Sequence, residues 1–93
     1  MKTKINNETV KKYGDGSIAI KIRCEGVHYT MKFCKLAHSG EYNVQVWDDW
    51  CDITLDESFT SIFSLFNRLC EYFHCTIVKF QETLPIVDEA LRQ

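Results

Sequence analysis

Proline and glycine are scarce, with one Pro and four Gly in 93 residues, which argues against a disordered chain or a loop-rich scaffold. No stretch approaches the roughly 20 apolar residues needed to cross a bilayer. The start, Met1-Lys2-Thr3-Lys4-Ile5-Asn6-Asn7-Glu8, carries basic residues with no apolar run behind them, so neither a membrane span nor an export signal is expected. No Cys-x-x-Cys pair occurs. The five cysteines (Cys24, Cys34, Cys51, Cys70, Cys75) are odd in number and irregularly spaced, which suits free thiols in a reducing compartment better than a disulfide framework. These absences together lead us to expect a soluble, cytoplasmic protein. No catalytic or cofactor motif stands out, and no cofactor is expected.

What is present is enough apolar material for one core: 45% of the residues are hydrophobic and 13% aromatic. A chain of this length buries about two-thirds of the surface its unfolded form exposes, so residues 1–93 are expected to form a single domain. The formal net charge is only −2, yet it is unevenly spread. Residues 1–40 carry eight Lys/Arg against three Asp/Glu, and residues 41–93 carry three against ten.

Hydrophobic periodicity predicts an α+β fold. Apolar residues alternate from Ser17 to Ala37 around a two-residue Glu25-Gly26 turn, the pattern of a β-hairpin. Its expected register sets Cys24 against Val27, Ile22 against Tyr29, Ile20 against Met31 and Ile18 against Phe33. The opposite face pairs Arg23 with His28, Lys21 with Thr30 and Ala19 with Lys32; a one-residue slip would bury those charges. A turn around His38-Ser39-Gly40 leads to a third strand in which Tyr42, Val44 and Val46 point inward and Asn43, Gln45 and Trp47 outward. Upstream, Gly14-Asp15-Gly16 signals a turn, and Glu8 to Tyr13 is a candidate edge strand in which only Val10 fits the inward pattern well.

Thr54-Leu55-Asp56-Glu57 matches a capping box, which predicts one long amphipathic helix from Leu55 to His74. Phe59, Ile62, Phe63, Phe66, Leu69, Cys70 and Phe73 form its apolar stripe, widened by Leu65 and Tyr72. Cys75 to Phe80 is a short β-prone run, and Pro85 to Leu91 suits a short terminal helix with proline in its first turn. The expected architecture is a three- to four-stranded antiparallel meander with the long helix packed on one face, plus the further short strand and the short C-terminal helix.

Candidate chemistry is sparse. Cys70 and His74 stand four apart and, on a helix, would share a face, so with Cys75 and one of Cys24 or Cys34 they form a conceivable zinc set. Cys70 also falls inside the apolar stripe, and the core reading is preferred because free cysteine is among the most buried residue types. A cysteine nucleophile activated by His28, His38 or His74 would need a stabilised thiolate that nothing in the sequence singles out. The carboxylates Asp48, Asp49, Asp52, Asp56 and Glu57 cluster in sequence but are explained as strand-end, turn and helix-start charges. No catalytic and no metal residue is assigned, and an enzyme is not expected.

Two binding surfaces remain. Trp47 and Trp50 lie among Asp48, Asp49 and Asp52, and alternation cannot bury both indoles. Either Trp50 plugs the core under the helix start, or it is an exposed anchor of the kind found in protein interfaces. The outer sheet face, with Lys21, Arg23, Lys32, Thr30, Asn43, Gln45 and Trp47, resembles in composition a platform for nucleic acid. The first expectation is therefore a non-enzymatic protein-interaction module, of the size and type of inhibitors, immunity proteins and phage- or plasmid-encoded blockers of a host system. Another protein is then the partner, and a membrane is not. The alternative is a nucleic-acid-associated accessory protein using the outer face.

Overall fold

The computed structural model describes residues 5–75, 80 and 82–92. Among these residues the chain makes β1 (Ile5–Lys12), β2 (Ile18–Cys24), β3 (Val27–Lys35), β4 (Tyr42–Trp47), β5 (Ile53–Phe59), α1 (Ile62–Tyr72) and α2 (Thr83–Leu91). The strands form one antiparallel sheet in the order β1-β2-β3-β4-β5, a continuous meander.

The β2–β3 hairpin has the register its alternation predicts, with Cys24 opposite Val27 and Ile18 opposite Phe33. Its turn holds Glu25 at φ 51° and Gly26 at φ 81°, the two positive values that a two-residue loop matched to strand twist requires. β1 is longer than the edge strand expected at Glu8 to Tyr13, and a register shift between Asn7 and Thr9 interrupts it. Such a bulge on an edge strand disfavours pairing with a further chain.

The helix expected from Leu55 begins seven residues later, at Ile62. Residues 53–59 are instead the fifth strand, so the meander has one strand more than the composition of its turns suggested. The capping box is not formed. Thr54 Oγ1 donates to the Val46 carbonyl at 3.3 Å, and Ser61 caps the helix by accepting from the Ser64 N–H at 3.1 Å. Glu57 turns inward, opposite Val44, and accepts from Arg68 Nε of α1 at 2.9 Å. An inward charge on an edge strand discourages edge-to-edge association.

The moved start also rotates the helix face. Leu65, Phe66, Leu69 and Phe73 are buried, whereas Phe63, expected in the stripe, is 61% exposed. Phe66 is central: its ring stacks on Phe33 at 5.8 Å between centroids and meets Phe80 edge-on at 5.7 Å. The strand expected over Cys75 to Phe80 falls largely outside the described residues, but Phe80 itself is fully buried in this core. α2 places Pro85 in its first turn, where a missing N–H costs nothing, and buries Thr83, Val87 and Leu91 at a spacing of four. Both helices belong to the same apolar cluster as the inward residues of β2, β3 and β4.

Candidate interaction surface

With both helices' apolar faces joined to the inward side, the sheet's other face carries the polar half of each alternation. Lys21 and Arg23 on β2 and Lys32 on β3 are all exposed there. Pairing arranges this face in rows. Lys21 of β2 meets Thr30 of β3, which meets Trp47 of β4, which meets Ile53 of β5. The adjacent row runs Lys11, Ala19, Lys32, Gln45, Asp56. The uneven charge of the sequence thus becomes a gradient across the sheet, basic on β1 to β3 and acidic at β5. Asp56 is held at the acidic end, accepting from Asn43 Nδ2 at 3.1 Å and Gln45 Nε2 at 3.2 Å.

The segment Asp48-Asp49-Trp50-Cys51-Asp52 is the tip of the β4–β5 hairpin and does not deliver the chain to a helix. Its shape follows from Asp48. The Asp48 N–H donates to the Asp52 carbonyl at 3.0 Å, and the Cys51 N–H donates to the Asp48 carbonyl at 3.1 Å. Asp48 Oδ1 also accepts from the N–H groups of Trp50 at 2.9 Å and Asp52 at 3.0 Å. Asp residues favour such turns because a short side chain can satisfy backbone donors two residues on. Cys51 closes the loop with φ 63°, in the left-handed region where a three-residue hairpin loop commonly places glycine.

This geometry leaves Trp50 77% exposed, with no role as a plug beneath α1. Trp47 is half-buried on the outer face, and Ile53, its pairing partner, is 47% exposed. The tip therefore combines Trp50, Trp47 and Ile53 with the carboxylates of Asp49 and Asp52, while Asp48 is committed to the turn. Of the residues singled out from sequence, Trp47, Asp48, Asp49 and Trp50 lie together at the tip. Lys21, Arg23 and Lys32 lie on the same face but on β2 and β3.

Lys11 and Tyr13, on that face, are not among the residues singled out from sequence. The Tyr13 ring has Lys11 Nζ 5.3 Å and Lys32 Nζ 5.7 Å from its centroid, so it belongs to the basic half, 40% exposed. The available signal was alternation: Val10 facing inward puts Lys11 and Tyr13 outward. Asp15, just beyond, is held below the usual carboxylate range because the Ser17 hydroxyl and N–H donate to its Oδ1 at 2.6 and 3.0 Å.

The geometry assumed for a Cys70–His74 metal pair is not formed. α1 ends at Tyr72, and His74 turns left-handed at φ 52°. Its N–H donates to the Glu71 carbonyl while the Cys75 N–H donates to that of Cys70, the two bonds of a Schellman ending, so Cys70 and His74 do not share a helical face. Among the described residues no group of three or more His, Cys, Asp or Glu side chains converges on a common point. Burial pushes the thiols of Cys24, Cys34 and Cys70 up, which disfavours the thiolate a nucleophile needs.

Comparison with protein-family models, with curated proteins and with solved structures gives no match, so the functional argument rests on this surface alone.

Proposed function

We propose that this chain is a non-enzymatic protein-interaction module that works by occupying a partner's surface, as inhibitors and immunity proteins do. The observation that carries the reading is Trp50, a large indole 77% exposed on a hairpin tip that Asp48 holds by two side-chain hydrogen bonds. An exposed indole on a pre-organised loop is costly to leave in water and loses little conformational freedom on binding, which is why tryptophan dominates interface hot spots. Ile53 and Trp47 extend the apolar contact, and Asp49 and Asp52 rim it with negative charge. The partner is accordingly a protein with an apolar recess bordered by Lys or Arg. Charge complementarity of this kind speeds encounter and sets orientation.

The test compares three tagged forms of the full chain in extracts of its source cell: unaltered, Trp50→Ala and Phe63→Ala. Phe63 is the control, an exposed aromatic away from the tip. A polypeptide retained by the unaltered and Phe63→Ala forms and lost with Trp50→Ala supports the reading. Retention of the same polypeptide by Trp50→Ala, or of none by any form, overturns it.

A further inference from the structure

The basic half of the outer face is not used by the Trp50 tip, and we infer that it is a second binding surface, for the backbone of a single-stranded nucleic acid. This inference stands apart from the protein-binding reading and does not depend on it.

Two objections arise at the level of sequence, and the fold answers both. The first is that an acidic second half would repel phosphate. In the folded sheet the acids are displaced sideways: β2, which carries Lys21 and Arg23, lies three strand positions from β5, which carries Asp56. At about 4.8 Å per strand that is about 14 Å, and Lys32 on β3, two positions from Asp56, stands about 10 Å away, both beyond the Debye length of about 8 Å at physiological ionic strength. Among the described side chains, Asp15 remains ionised and offsets part of the Lys32 charge, and Glu25 lies at the edge of the patch in the β2–β3 turn.

The second objection is that one aromatic is too few for a stacking platform. Tyr13 adds another, between Lys11 and Lys32, while Trp47 stands at the far border of the patch beyond Thr30. Four exposed cations, Lys11, Lys21, Arg23 and Lys32, thus lie on a broad strand surface bounded by two aromatic rings. Cations that track a backbone, combined with rings on which bases stack, are the elements by which proteins hold single strands. A duplex is disfavoured because, among the described residues, no helix or ribbon projects from this face to enter a groove.

The probe is a fluorescein-labelled oligothymidylate or oligouridylate of about 12 nucleotides, a length suited to one small domain, measured by anisotropy with the full chain. If four cations engage phosphates, log K falls with log salt at a slope of about −3, and affinity drops about 50-fold between about 50 and 200 mM salt. Lys21→Glu with Lys32→Glu should abolish binding, and Tyr13→Leu should weaken it about fivefold or more. Trp50→Ala should leave it unchanged, which separates this surface from the tip. Should the glutamate variant not fold, Lys21→Gln with Lys32→Gln decides the matter by reducing the slope to about half. Absence of binding at the lowest salt, a salt-independent signal, binding unaffected by the lysine changes, or preference for a duplex of equal length would each overturn the inference.

Discussion

Cys51 offers the sharpest test of the hairpin tip. Its φ of 63° places a Cβ in the left-handed region, where an L-residue other than glycine pays roughly 1–2 kcal/mol in contact with the neighbouring carbonyl. Cys51→Gly removes that strain but gives the unfolded chain more freedom, which costs about 0.4–1 kcal/mol. The net expectation is a gain of about 0.5–1 kcal/mol, equivalent to a rise of about 2–8 °C in Tm for a domain of this size. The side chain is exposed, so Cys51→Ala, which deletes the thiol and keeps the Cβ, should change stability by less than about 0.5 kcal/mol. Cys51→Val, with a branched Cβ in the same backbone region, should lose about 1 kcal/mol or more. Urea unfolding followed by circular dichroism measures all three, with shifts in midpoint at constant m-value. A destabilised Cys51→Gly, or a Cys51→Val as stable as the parent, would refute the left-handed loop closure on which the presentation of Trp50 depends.

The phase of α1 is checked by a pair of substitutions: Phe66→Ala should cost about 3–5 kcal/mol, since its ring is fully buried between Phe33 and Phe80, while Phe63→Ser should cost less than about 0.5 kcal/mol. Equal losses would restore the longer helix. Raising the pH should weaken the fold from about pH 9 upward, because Cys24, buried, and Cys34 and Cys70, half-buried, keep their protons in the native state after the unfolded chain has released them. The sign is definite: the native form binds more protons in that range, so stability falls as pH rises. Replacing the three cysteines by alanine should flatten this decline in urea midpoints as the pH is raised above the ordinary cysteine value of about 8.5. An undiminished decline would locate its cause elsewhere. The Glu57–Arg68 pair, with side chains 41% and 34% exposed, should contribute no more than about 1 kcal/mol, so Glu57→Val should fold well yet show more self-association by light scattering. A variant that stays monomeric would remove the edge-guarding role of Glu57.

The parts of this fold legible in the sequence are those whose signal is local. The β2–β3 register follows from Ile18, Ile20 and Ile22 alternating with Ala19, Lys21 and Arg23, and the terminal helix from Pro85 followed by apolar spacing. β5 was hidden because two local patterns compete there. Thr54-x-x-Glu57 fits a helix cap, and Phe59 fits both the strand's period of two and the stripe that begins at Ile62. The decisive feature, Glu57 turned inward to Arg68, joins residues eleven apart in sequence on different elements and has no local mark. The tip was legible as unusual but not as a hairpin, because without β5 there was no strand for Asp48 to turn toward. Tyr13 was missed for a similar reason: its place beside Lys32 depends on β1 pairing along the whole of β2.

The exposure of Trp50 is the claim on which the proposed function turns, and it can be measured in the free protein. The chain has two tryptophans, so Trp47→Phe leaves Trp50 as the sole indole emitter. In the native state its fluorescence should peak near the wavelength of the unfolded chain, and acrylamide should quench it almost as efficiently as in denaturant. A blue-shifted, quencher-protected emission that becomes accessible only on unfolding would place the indole inside the core and contradict the interaction surface described for the hairpin tip.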